Sequence, residues 1–274
     1  MALSERFKAP TRGTPFHILS IEGFQKAGKL HLSATAPPIV AIQSTDFGTD
    51  GVLQKWPDHE ERFLVGEYPI NLNVLADAVQ LSKTRAKKKG GGEDGADAEI
   101  LRLAEEQGQR IREETLEPFK ADYEELLKDP SIKTIVWDKA TEVNEMIRLA
   151  YHGKMEKNPQ IAYGPINAEF KGLVRRAAEH RKNLILIHDL TERYVNNQAT
   201  GNYVLKGNTN VTKLVHSYVQ IRKEVTKGKA KFITRIADSR FMPGVVGVEI
   251  VNADWLTLMA ELMPEVDPDD WGCE

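Results

Sequence analysis

The chain has 274 residues, 41% of them apolar and 28% charged, with a formal net charge of -3; this is the make-up of a globular protein able to bury a sizeable core. That balance excludes a globally basic nucleic-acid binder, so any contact with DNA or RNA must come from local patches. The single cysteine, Cys273, excludes an intrachain disulfide framework, and no apolar run approaches the roughly 18 residues of a membrane span, so a cytoplasmic protein without a membrane partner is expected.

Four short apolar runs rich in β-branched residues predict strands, each ending at a polar residue: "FHILSIEG" (16–23), "IVAIQSTD" (39–46), "IKTIVWD" (132–138) and "NLILIHD" (183–189). Their near-continuous apolarity suits strands covered on both faces of a parallel sheet. Helices are predicted between them. "KLHLSATA" (29–36) stops at Pro37-Pro38; "ATEVNEMIRLAYHG" (140–153) gathers Val143, Met146, Ile147 and Ala150 on one face; "NAEFKGLVRRAAEHRKN" (167–183) does the same with Phe170, Leu173, Val174 and Ala177. The stretch from about 52 to 128 interrupts this alternation with a basic, glycine-rich, then acidic loop (84–99) and helical sequence with a break near Pro118. Residues 214–250 alternate apolar and polar positions between "TKGK" and "MPG", as antiparallel strands or hairpins do. The last residues, 263–274, form an acidic tail expected to be loosely held.

Strand, then Gly23-Phe24-Gln25-Lys26-Ala27-Gly28-Lys29-Leu30, then helix is the context of a phosphate-cradling loop. Its glycines let backbone N–H groups turn inward, and the lysine reaches the β- and γ-phosphates. Leu30 stands where such loops carry the Ser or Thr hydroxyl that binds magnesium. Ser33 and Thr35 lie a helical turn or more beyond and are poor substitutes. Asp138 closes the strand "TIVWD" and either caps the helix after it or holds Mg²⁺ through water, as the acidic residue of such sites does. Paired with a phosphate loop, the metal role is the better expectation. In "QSTDFGTD" Asp46, with Asp50 second, is the candidate general base; His188 either senses the γ-phosphate at its strand end or is structural. Glu142 and Glu145 read as surface or packing residues.

The lines "ILSIEGFQKAGKLHLSATAPPIVAIQSTDFGTDGV", "DPSIKTIVWDKATEVNEMIRLA", "YGPINAEFKGLVRRAAEHRKNLILIHDLTERYV" and "FITRIADSRFMPGVVGVE" together resemble the RecA-like P-loop ATPases. Among these the chain is most similar to the small ATP-binding recombination proteins of bacteriophages, of AAA or single-strand-annealing type. The likeness covers most of residues 14–250 and is loose over 52–128. It implies one α/β domain over 1–262 with a RecA-like core, a mostly parallel central sheet, a helical and loop insertion, and C-terminal antiparallel strands. It further implies ATP and Mg²⁺ at the Gly23–Lys29 loop, a ring or filament of identical subunits in the host cytoplasm, and single-stranded DNA as partner. A basic residue from the next subunit would complete the site, Arg240 first and Arg235 second. The segments 151–164 and 191–213 would face DNA and bring Lys154, Arg193, Tyr194, Tyr203, Lys206 and Lys213, since aromatics among amides and cations suit a single strand.

Three positions depart from the resembled pattern: Leu30, Asp189 where a basic or amide residue is common, and Gln43 where an acid is common. Each weakens hydrolysis more than binding, because phosphate affinity draws largely on backbone N–H groups and Lys29. The same departures leave open a degenerate relative that binds DNA or assembles without turnover.

Overall fold

The computed structural model describes residues 14–46, 48–70, 102, 105–151, 159–195, 198–205, 209–226 and 228–273; at 50, 159–163, 193–195, 199–202, 209 and 210 only the backbone is described. The candidates Lys154 and Lys206 and the loop 84–99 lie outside these residues, as do the side chains of Asp50, Arg193 and Tyr194.

The four predicted strands form, as β1 (Ile18–Gly23), β2 (Val40–Ser44), β4 (Thr134–Asp138) and β5 (Asn183–Val195). Helices α1 (Lys29–Ala34), α5 (Ala140–Tyr151) and α6 (Pro159–Glu179) follow β1 and β4. Helix α1 ends a residue before Thr35, ahead of the prolines. The Arg62 guanidinium donates to Ala34 O at the helix end, at 3.2 Å, and to Ala36 O just beyond it, at 3.0 Å, as a cation at a helix C-terminus should.

Two short helices, α2 (Asp50–Leu53) and α3 (His59–Arg62), lead into β3 (Phe63–Glu67), which pairs in parallel with β2. Part of the region expected to be an insertion is thus a strand of the main sheet. The break expected near Pro118 is replaced by a π-helical turn, Arg112–Leu116, after which α4 (Glu117–Lys128) continues with Pro118 in its first turn. A proline lacks the N–H for a helical bond, and a wider turn just ahead of it accommodates that loss without ending the helix. Leu116, Phe119, Tyr123 and Leu127 of this stretch are fully buried, so it belongs to the core.

Among the described residues the sheet order is β3-β2-β4-β5-β1-β7-β8-β9; β8 (Lys229–Ser239) pairs antiparallel with both β7 (Ser217–Thr226) and β9 (Glu249–Val251), and the other pairs in this order are parallel. The strand behind the glycine loop and the strand ending at Asp138 are not neighbours; β5 lies between them.

Alternation along the strands divides the core. Trp137 is ringed on one face by Phe119, Tyr123 and Phe170, with ring centroids 5.2–5.7 Å away. Leu19, Ile21, Val136, Ile185 and Ile187 pack on the other face with α1 and with α7 (Trp255–Leu262). The C-terminal residues are held here too, contrary to expectation. Trp271 is buried and meets Trp255 edge-on at 5.6 Å, because a large apolar ring outweighs the acids around it.

Within the segment 191–213, expected as a DNA-facing loop, residues 191–195 and 198–205 are instead paired as antiparallel strands. β5 runs on beyond the sheet and pairs with β6 (Gln198–Leu205), Leu190 opposite Leu205 and Thr191 opposite Val204, with a bulge between Glu192 and Tyr194. Aromatic and β-branched residues spaced along both arms supply cross-strand pairs that its glycine and asparagines obscure in the sequence.

Candidate functional site

The loop between β1 and α1 is built by its two glycines. A Cβ on Gly23 would lie 2.6 Å from the Ile221 carbonyl oxygen of β7, so only glycine lets the strands close there. Gly28 has φ +93°, and a Cβ on it would come within 2.8 Å of the Phe232 ring. Lys26 is also left-handed at φ 61°. Left-handed residues alternating in this way turn successive N–H groups toward one concavity, a nest for an anion.

Beside the nest lies a cavity of about 660 Å³ lined by Lys29, Leu30, Asp46, Asp138, Lys139 and Asp189, among others. The structure therefore brings together eight residues singled out in the sequence: Gln25, Lys26, Ala27, Gly28, Lys29, Leu30, Asp46 and Asp138. Lys29 is buried, and its Nζ donates to Gly23 O at 2.7 Å, Phe24 O at 3.1 Å and Asp189 Oδ1 at 2.8 Å. Leu30 packs on the apolar face of the sheet and offers the cavity only carbon. Ser33 donates to Lys29 O and Thr35 to Leu32 O, so both hydroxyls are engaged with helix backbone.

Asp138 is 6% exposed. Burial first, and then the negative charge of Asp46, push its carboxyl up to about 7, against the opposing charges of Lys139 and Lys29. Asp46 sits just past β2, where its Oδ1 accepts from Gly48 N and its Oδ2 lies 2.9 Å from Lys139 Nζ. Burial raises the Asp189 carboxyl, but the hydrogen bond and charge of Lys29, with Lys139 beside it, prevail and hold it below the ordinary aspartate value. Glu142 borders the group, 3.9 Å from Lys139 Nζ, and burial raises its carboxyl.

Other candidates lie elsewhere. His188 faces the opposite side of the sheet, fully buried, with Nδ1 3.4 Å from Thr141 Oγ1. Burial lowers its imidazole to about 3, which keeps it neutral. Asp189, one residue on, is the β5 side chain that reaches the cavity. Gln43 also points away, accepting from Trp137 Nε1 and donating to Phe119 O, as a buried amide must. Arg240 lies at the far end of the sheet, near the start of β1, where its guanidinium donates to Lys213 O. Lys213 and Arg240 border a separate cavity of about 310 Å³. Arg235 is exposed midway along β8. Tyr203, by contrast, reaches the phosphate loop: its ring meets that of Phe24 edge-on with centroids 4.7 Å apart.

Lys139, Asp189 as a partner of Lys29, and Phe232 were missed as site residues. For Lys139 the signal was adjacency, since it follows Asp138 directly in "TIVWDK"; nothing in the sequence placed Phe232 against Gly28.

No family model matches the chain, and no curated protein matches it in sequence. Among solved structures it is similar over 87% of its length to the flagellar accessory protein FlaH from Methanocaldococcus jannaschii, at 11% identity, 86% of that chain and TM-score 0.42. It is similar over 87% of its length to the RadB recombinase, at 14% identity, 87% of that chain and TM-score 0.47. The fold class itself follows from the strand order. A glycine loop after β1, an acid at the end of β4, β5 between them and antiparallel strands closing the C-terminal side make a doubly wound α/β core with a mostly parallel sheet, the arrangement that the resemblance implied.

Proposed function

We propose that the protein binds ATP in the cavity beside the Gly23–Lys29 loop and acts on single-stranded DNA as an oligomer in phage recombination or replication, with slow hydrolysis. One observation carries the nucleotide reading. A left-handed nest, a buried lysine and two acids from separate strands, Asp46 and Asp138, converge on one cavity at the C-terminal ends of parallel strands, where α/β folds bind ligands.

The residues present fit Mg²⁺ in a reduced way. Asp138 and Asp46 supply oxygens, Leu30 supplies none, and no group of three or more His, Cys, Asp or Glu among the described residues is placed to hold a metal. That set suits a cation that keeps its waters and draws further oxygens from phosphates. When bound, Mg²⁺ would offset charge on the phosphates; Lys29 would leave the Gly23 and Phe24 carbonyls to meet them, and Asp46 would orient a water. The exposed Tyr203 on its hairpin supports a strand-stacking surface beside the loop. Arg240, far from the cavity of its own chain, serves the proposal only as a residue presented to a neighbouring subunit.

Leu30 favours a second reading, a non-hydrolysing P-loop protein that assembles on DNA. Titration with a non-hydrolysable ATP analogue and Mg²⁺, followed by steady-state ATPase assays with and without single-stranded DNA, separates the two. Binding without turnover supports the second; absence of binding rejects the first.

A further inference from the structure

Lys139 follows Asp138 at the end of β4, and its side chain, 15% exposed, turns into the same cavity. Its Nζ lies 2.9 Å from Asp46 Oδ2, 3.4 Å from Asp189 Oδ2 and 3.9 Å from Glu142 Oε1. The other oxygen of Asp189 lies 2.8 Å from Lys29 Nζ. One carboxylate thus divides its two oxygens between two ammonium groups. A phosphate, with three oxygens and more charge, satisfies such a pair better than a carboxylate does. Asp46 and Asp138 line the same cavity as the two lysines and Asp189.

We propose that Lys139 is a second phosphate-contacting lysine: Asp189 holds Lys29 and Lys139 together in the free protein, and the terminal phosphate of a nucleoside triphosphate takes its place. The proposal rests on the nucleotide-binding reading and adds a determinant of triphosphate over diphosphate. It also gives the pocket a cation of its own at the position where charge would develop on transfer.

Calorimetric titration of the full chain with ADP and with a non-hydrolysable ATP analogue, both with Mg²⁺, tests it. Lys139→Met is expected to weaken the analogue about tenfold and ADP by less than about threefold, the loss of one charge-assisted hydrogen bond to the third phosphate. Lys139→Met strips Asp46 of its cation and can cost folding, so Asp189→Asn, which keeps both lysines, provides an independent test. It is expected to tighten the analogue more than ADP. Equal shifts for the two nucleotides in either folded variant overturn the role of Lys139 while leaving nucleotide binding intact. Failure of the unaltered protein to bind either nucleotide overturns the nucleotide reading, and this proposal with it.

Discussion

Asp138→Asn makes the most quantitative test of the site's electrostatics. The carboxyl of Asp138 sits at about 7 in the folded protein against an ordinary 3.8, with burial as the chief cause. Folding therefore takes up a proton between about pH 4 and pH 7, and the contribution of Asp138 to stability falls as pH rises through that window. The gap is about three units; at about 1.36 kcal/mol each, the ionised side chain costs the nucleotide-free protein about 4 kcal/mol above pH 7. Asparagine keeps the shape and removes the ionisation. The variant should match the parent near pH 4, gain steadily to pH 7 and then hold an advantage of about 4 kcal/mol, on the order of 10 °C in midpoint. Urea unfolding of both proteins from pH 4 to pH 8, without nucleotide, reads the difference, since groups that do not face Asp138 titrate alike in the two. A pH-independent difference, or a variant less stable at pH 8, would refute the assigned ionisation. The same substitution should abolish hydrolysis, placing stability and activity in opposition at one carboxylate.

Leu30→Thr restores a hydroxyl at the cavity and is expected to raise ATP turnover at least tenfold with little change in analogue affinity; an unchanged rate in the steady-state assay shows that the missing hydroxyl was not limiting. Gly28→Ala places a methyl 2.8 Å from Phe232 at φ +93°; it should cost about 2 kcal/mol and eliminate nucleotide binding, and Phe232→Ala in the same chain should recover only part of the stability, as denaturation will show. Phe24→Ala and Tyr203→Ala should each weaken single-stranded DNA binding, and their double-mutant cycle should give a coupling of about 1 kcal/mol from the lost ring contact; additive effects would separate the hairpin from the loop.

Much of the fold was legible because burial on both faces forces continuous apolar strands, and β1, β2, β4 and β5 all show them. The parts misread were those in which distant residues decide local structure. Trp271 is held by Trp255, so its acidic surroundings misled. The antiparallel pairing of 191–195 with 198–205 depends on cross-strand partners, and the composition there resembles that of a loop. In the site, residues close in sequence to the glycine loop or to a strand end were found, because a parallel sheet brings its C-terminal ends together. Side-chain direction was less legible. The strand alternation sends His188 to one face and Asp189 to the other, and a shift of one residue in phase exchanges their roles. Phe232, more than 200 residues from Gly28, carries no local signature at all.

The charges around Lys29 constrain how a nucleotide can enter. Lys29 and Lys139 face Asp46, Asp189 and Glu142, with Asp138 titrating near 7. The free pocket is thus already supplied with anions, and a triphosphate adds several more in a partly buried setting where like charges repel strongly. Two responses are available under the proposed function. A divalent cation can arrive with the phosphates, and Asp138 can remain protonated until it does. Both act independently of the hydroxyl that Leu30 lacks, whose contribution is to fix the cation in place. Loss of that hydroxyl therefore falls on the geometry of hydrolysis, while the need for a cation is set by the carboxylates that remain. Nucleotide affinity should accordingly depend steeply on Mg²⁺ and weaken without it as pH rises above 7, when Asp138 ionises; affinity that is flat in both variables would mean that the phosphates do not approach these acids.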